Sequence, residues 1–332
     1  MSNSWNEQSL LALGRGYQEP CILAAGVNLD LFSEIGSHRC TAPWLAEHIN
    51  VNPRALTILL DALVAMRLLD KQGEQYTVPQ NVFELLSSQG HNSLLPAARH
   101  YAILLTRWAS LTEVVRTGVP ITQREDYTPP PGALEAFIGA MANFTAPEAE
   151  ALARAVPLGS ARRVLDVGGG PATHTIAFLR AYPSLTAILF DRPPVVEIAR
   201  RNLLAAGVLE RVQLSAGDFY TDELPPGCDV AWVSAIIHMN SRQQNRELFG
   251  RVLRALEPNG RIIIRDHVMD ESRTSPPSGA LFAINMLTGT DGGGTYTFDE
   301  IRHDLQAAGF ANVELLVDQA EMNCLVRAVK RT

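Results

Sequence analysis

The chain has 332 residues, 46% of them hydrophobic and 19% charged, enough for two domains with proper cores and too apolar for a disordered polypeptide. A formal charge of -7 argues against a general nucleic-acid or anionic-membrane surface. Four widely spaced cysteines give neither a zinc knuckle nor a disulfide framework, while the absence of a basic-plus-apolar leader pattern and of any apolar run near ~18 residues makes a cytoplasmic location the expectation.

From the N-terminus, Leu10 to Leu31 carries apolar residues at helical spacing. Thr41-Ala-Pro-Trp-Leu-Ala-Glu47 has an N-cap threonine and a proline in the first turn. Asn52-Pro53 starts a further helix through Leu59, Leu60, Leu63 and Leu68-Leu69, and Lys71-Gln-Gly-Glu-Gln-Tyr-Thr-Val78 follows as a hairpin. Helix, helix and hairpin make a winged-helix outline, which raises a DNA-binding regulator as one reading. Yet the second helix has only Arg54 and Arg67 as basic residues, against Asp61. Phosphate contacts need several lysines or arginines, so this apolar helix is expected to be buried, within the chain or in a homodimer interface, and the dimer is the favoured alternative.

Residues 91–157 read as a connector between a domain of 1–90 and one of 158–332. Its two helical patterns, Leu94 to Thr117 and Ala133 to Val156, flank the breaker Thr128-Pro-Pro-Pro-Gly132. Its aromatic and Met residues, at helical spacing, read first as core.

Beyond it, strands and helices alternate. Arg163-Val-Leu-Asp-Val-Gly-Gly-Gly-Pro-Ala-Thr173 is a buried strand closing on an acid and a glycine turn, with a helix expected from near His174. Gly168 and Gly170 let the backbone bend and approach a ligand, and the helix aims free N–H groups at the same spot. Thr186-Ala-Ile-Leu-Phe-Asp191 and Val212-Gln-Leu-Ser-Ala-Gly-Asp-Phe219 are two more runs with acids at their ends. Asp191 is the candidate for a ribose diol, Asp218 for an adenine amino group, and Phe219 for the ring face. Asp229 to Ile237 is a fourth strand, Ser241 to Leu256 a helix and Gly260 to Asp266 a fifth strand. After helices near Leu281 and Phe298, Ala311 to Val317 and Met322 to Val329 close the pattern as strands. Such alternation predicts an α/β, doubly wound, Rossmann-like sheet with ligands at the carboxyl strand ends.

A dinucleotide fingerprint would need a third small residue at Thr173, and that match fails. Read as acid-x-Gly-x-Gly-x-small, Asp166, Gly168, Gly170 and Ala172 resemble the S-adenosylmethionine (SAM) motif of class I methyltransferases. With Gly217-Asp-Phe219, the histidine after the fourth strand, Glu257-Pro-Asn-Gly-Arg261 and Ala308-Gly-Phe-Ala-Asn-Val313, nearly the whole chain resembles the SAM-dependent O-methyltransferases of plant caffeate, acetylserotonin and bacterial natural-product type.

That resemblance implies a seven-stranded SAM-binding domain with an antiparallel seventh strand, an N-terminal winged-helix homodimerisation domain, and methylation of a hydroxyl on an aromatic small molecule. It implies His238 as general base, Asp266 as its orienting partner, and Asn285 and Met286 as substrate contacts. It also implies Phe137 and Met141 as the candidates for lining a substrate cavity, on a segment that resembles the family helix reaching across to the active site. The family commonly continues its histidine as His-Asp-Trp-x-Asp, where this chain has His238-Met-Asn-Ser-Arg242. A second flanking acid of the plant members falls at Thr295, and His267 is a candidate substitute. A phenol titrates near ~10 and an imidazole near ~6.5, so histidine suits the proton transfer. No carboxylate cluster suggests a metal. Three alternatives accompany this reading: transfer to nitrogen or carbon, a non-methylating SAM-binding enzyme, and a regulator that retains the fold.

Overall fold

A computed structural model describes residues 5–331. The chain packs as two compact units, one made of the chain up to Thr106 with Pro130–Asn143, the other of Arg107–Pro129 with the chain from Phe144. The segment expected as one connector, 91–157, is thus divided between them.

In the first unit the expected long N-terminal helix is broken into α1 (Glu7–Arg15), α2 (Gln18–Asn28) and α3 (Leu31–Ile35). The break before α3 lies at Asp30, whose φ is +53°. Strand β1 (Cys40–Thr41) leads into α4 (Ala42–His48) and α5 (Pro53–Ala65), each capped as the sequence indicates, by Thr41 and by Asn52, whose Oδ1 accepts from Ala55 N–H at 2.9 Å. Leu56, Leu60 and Leu63 recur on one face of α5 and are buried with Leu31, Phe32, Leu45 and Tyr76. That face is therefore intrachain core. Helix α5 stops four residues short of the expected Leu69, because Arg67 takes a φ of +60° and turns the chain into β2 (Asp70–Gln72). β2 pairs antiparallel with β3 (Gln75–Thr77), and β3 with β1, so the wing is a three-stranded sheet. Helix α6 (Gln80–Leu86) and most of α7 (Leu95–Ala109) complete this unit.

The second unit opens with α8 (Leu111–Thr117), so the pattern expected as one helix to Thr117 is two. Helix α9 (Ala133–Ala155) follows, its residues up to Asn143 belonging to the first unit and those from Phe144 to the second. Then come β4 (Arg163–Val167), α10 (Thr173–Ala181), β5 (Thr186–Asp191), α11 (Pro193–Ala205), β6 (Val212–Ala216), β7 (Cys228–Ser234), α12 (Arg242–Ala255) and β8 (Leu256–Asp266). The chain closes with β9 (Val268–Met269), α13 (Pro277–Gly289), β10 (Tyr296–Thr297), α14 (Phe298–Ala307), β11 (Phe310–Val317) and β12 (Cys324–Lys330).

Seven strands form one sheet in the order β11-β12-β8-β7-β4-β5-β6. All neighbours from β8 to β6 are parallel, and β12 inserts antiparallel between β8 and β11. The central strands read as continuous apolar runs because both faces are covered. Leu165, Val167, Ala231, Val233, Ile262 and Ile264 pack on one side with Leu248, Phe249 and Val252 of α12 and Ile301 and Leu305 of α14. Val164, Val230, Trp232 and Ile263 pack on the other with Phe178 of α10, Leu203 of α11 and Ala149 and Ala153 of α9. Alternation by two thus sends successive residues into two cores. The fourth strand ends at Ser234 rather than at the expected Ile237, since Ala235 adopts a φ of +57°. Residues Ile237–Met239 instead form a 3₁₀ turn, and that turn carries His238.

Candidate active site

The glycine turn sits at the carboxyl end of β4. Gly168 and Gly170 have φ of +67° and +54°, values that favour residues without a Cβ. A Cβ on Gly168 would come 2.5 Å from Ile236 Cδ1, whereas one on Gly170 would meet nothing nearer than the Gly168 carbonyl at 3.9 Å. The turn is packed beneath and open at Gly170. Ala172, the departure from glycine in the motif, holds the left-handed conformation itself at φ +66° and leads directly into α10.

Three acids meet this turn in different ways. Asp191, half-buried at the end of β5, accepts from Gly170 N–H at 2.8 Å and from Arg192 N–H at 2.7 Å. Burial pushes its carboxyl up, and those two N–H bonds oppose the shift. Asp166 lies beneath the turn, buried, with the Thr175 hydroxyl donating to it at 2.6 Å. Burial raises its pKa to about 7, the bond from Thr175 acting against that and the neighbouring Asp191 charge adding to it. Asp218 follows β6 and accepts from Tyr220 N–H at 2.9 Å. The Phe219 ring flanks the turn, 3.7 Å from where a Gly168 Cβ would stand.

His238 and Asp266 come together as the sequence indicates. His238 Nδ1 lies 2.9 and 3.0 Å from the two Asp266 carboxylate oxygens, and the residues are 6% and 2% exposed. An ionised carboxylate only accepts, so Nδ1 is the protonated nitrogen and the Nε2 lone pair faces away from Asp266. Asp266 is held in turn by His267 N–H at 2.8 Å. The Phe282 ring stands edge-on to His238, centroids 4.8 Å apart, and 4.9 Å from the His267 ring. His267 is itself buried, with no hydrogen-bond partner at Nδ1 and its pKa lowered by that burial.

Thr295, where a second acid was expected, is buried, and its carbonyl accepts from Arg273. What grips the histidine instead is backbone: Gly294 N–H donates to the His238 carbonyl at 2.9 Å. Arg242, in place of the family's acid, binds Asp304 of α14 at 2.9 Å, together with Arg246, and locks α12 to α14. Asn285 lies on α13 and accepts from Trp108 Nε1 at 3.2 Å, while Met286 beside it is buried. Phe137 and Met141, one turn apart on α9, belong to the first unit, where Phe137 packs 5.4 Å from the His100 ring. Sequence reading missed Thr175, Asn240, Asn245, Tyr220, Phe282 and Gly294. None is a position that the motifs single out, and each acts through a partner at least eight residues away along the chain.

A mainly parallel seven-stranded sheet with an open glycine turn and a carboxylate on the second strand end matches the class I SAM-dependent methyltransferase fold. The chain belongs to the family of the O-methyltransferase domain, whose model matches residues 124–311. It is 30% identical over 316 residues to the 3-hydroxy-5-methyl-1-naphthoate 3-O-methyltransferase of Streptomyces sahachiroi, covering 92% of this chain and 89% of that one. It is also 30% identical over 311 residues to the tetracenomycin polyketide synthesis 8-O-methyl transferase TcmO of Streptomyces glaucescens, covering 92% and 91%. A structure of PigF with SAH superposes with a TM-score of 0.87 at 25% identity, covering 98% of this chain and 100% of that one. The protein is a methyltransferase, and its cofactor is SAM.

Proposed function

We propose that the protein methylates a hydroxyl group on an aromatic small molecule of natural-product type, with His238 as the general base. The observation that carries this is the buried His238–Asp266 pair, in which Nδ1–H is committed to Asp266 and Nε2 has no protein partner among the described residues. Bound SAM supplies an electrophilic methyl on its sulfonium. Gly168 and Gly170 would hold it through backbone, Asp191 through the ribose hydroxyls, Asp218 and Phe219 through the adenine, with Asp166 supporting the turn from below. The open face at Gly170 supports that fit.

At the other end, His238 Nε2 accepts the phenolic proton as the oxygen attacks, and Asp266 stabilises the imidazolium that results. Phe282 packs against the His238 ring at a near-right angle, centroids 4.8 Å apart. Phe137, Met141, Asn285 and Met286 are proposed as substrate contacts. The two relatives named above act on a naphthoate and in tetracenomycin polyketide synthesis, which supports a fused aromatic acceptor. We also propose that the protein is a homodimer through its N-terminal helices.

The test is single-turnover methylation by His238→Ala with a panel of naphthols. The rate should fall about 10²–10⁴-fold with SAM affinity intact, and the loss should shrink for acceptors acidic enough to arrive ionised. Wild-type turnover on a weakly acidic naphthol would remove His238 from the role. Faster transfer to a matched arylamine would assign the protein to nitrogen instead, and tight binding of duplex DNA without any transfer would favour the regulator.

A further inference from the structure

The turn that carries His238 is held by a set of bonds that the reaction itself does not use. Asn240, 0% exposed, stands at their centre. Its Oδ1 accepts from the Tyr220 hydroxyl at 2.6 Å, its Nδ2 donates to Asn245 Oδ1 at 3.0 Å, and its carbonyl accepts from the Tyr296 hydroxyl. Asn245 Nδ2 donates back to the Ile237 carbonyl at 2.9 Å, closing a ring of bonds around residues 237–240. A fully buried carboxamide can keep only one arrangement once all its partners are present.

Tyr220 is the link that leaves this ring. It directly follows Asp218 and Phe219, and its ring packs 4.6 Å from that of Phe219. Its carbonyl is tied to α12 by Arg251 at 2.6 Å. The residue is 40% exposed, yet its hydroxyl reaches the buried Asn240. Desolvation first, then the Asp218 charge, raises the tyrosine pKa, which keeps the hydroxyl a donor at neutral pH.

We infer that the Tyr220 hydroxyl and Asn240 form a positioning bridge that joins the adenine-side loop to the turn bearing His238, so that a ligand seated against Phe219 fixes the position of the base. This rests on the cofactor and base roles proposed above. Tyr220 is a positioning residue: it reaches His238 through Asn240, two residues along the same turn. A bound cofactor that holds residues 218–220 thereby tightens the hold on residues 237–240 and on the imidazole they carry.

The variant is Tyr220→Phe, which keeps the ring against Phe219 and removes only the hydroxyl. With ¹⁵N-histidine-labelled protein, the His238 ring signal, assigned by its loss in His238→Gln, should shift when S-adenosylhomocysteine is added. In Tyr220→Phe that shift should shrink by about half or more while calorimetry shows affinity within ~3-fold of wild type, since no cofactor contact has been removed. A full-sized shift in the variant overturns the bridge. Kinetics supply the second arm: turnover on 2-naphthol should fall ~10–100-fold, as expected for a base displaced by up to about 1 Å, and turnover on 4-nitrophenol, which is largely ionised, by less than ~3-fold. Equal losses on both acceptors would mean a merely structural tyrosine and also overturn it. If His238→Gln itself shows no dependence on acceptor acidity, the base assignment fails, and the NMR arm still decides the bridge.

Discussion

Asp166 and Asp191 end neighbouring strands, yet their surroundings separate them. Asp191 keeps a partly buried carboxylate braced by two N–H groups, whereas Asp166 is buried with the Thr175 hydroxyl donating to it. A residue pattern can mark both as strand-end acids but cannot show which way each points, because that depends on the parity of the strand and on Thr175 across the turn. Since the folded protein holds the Asp166 proton more tightly than the unfolded chain, its contribution to stability is present below about pH 4 and lost as pH rises through about 7. Asp166→Asn keeps an acceptor for Thr175 without the charge. Urea denaturation should therefore show the variant gaining on wild type between pH 5 and pH 8, by about 2–3 kcal/mol at about 1.4 kcal/mol for each pH unit. A difference that stays constant with pH would mean that Asp166 is not protonated near neutrality in the folded state.

Elements with a strong local signal were legible from sequence: the sheet strands, doubly buried and apolar, and the capped helices α4 and α5. The turn 237–239 was not. Asp229 to Ile237 looks like uninterrupted strand, and what ends it at Ser234 is a left-handed alanine. What holds the turn is bonding to Gly294 and Tyr296, more than fifty residues away. Gly293, two residues before the Thr295 that stands where the family has its second acid, has a steric reason. A Cβ on Gly293 would come 2.5 Å from the His238 carbonyl oxygen and 2.4 Å from Thr290 Oγ1, while one on Gly294 would meet nothing within 4 Å. Gly293→Ala should therefore push the histidine turn and cut methylation by about 10²-fold, the cost of a displacement near 1 Å. Gly294→Ala, one residue on, should stay within about 3-fold of wild type. Comparing the two turnover numbers is the check, and equal effects would mean that the close approach at Gly293 does not set the base.

On the scale of the whole molecule, the N-terminal helix α1 raises the question of what it packs against. It has nine residues and a capping box between Asn6 and Ser9, but none of its residues is buried. Helices shorter than ~12–15 residues are marginal in water without tertiary contacts. Leu10, Leu13 and Tyr17 recur at helical spacing and are all exposed, as are Leu11 and Trp5. Such a group of exposed apolar residues fits a second copy of itself, because a two-fold interface brings the same residues to both sides. The α5 helix, by contrast, spends Leu56, Leu60 and Leu63 on its own core, so α1 is the better place to break a dimer without unfolding the chain. Burying a leucine contributes about 1.5–3 kcal/mol, and Leu10→Lys combined with Leu13→Glu removes two per protomer. The dissociation constant should rise by at least about 10²-fold, so that light scattering at micromolar concentration finds a dimer for wild type and a monomer for the double variant, with circular dichroism unchanged. A monomeric wild type, or a double variant that remains dimeric, would rule out α1 as the interface.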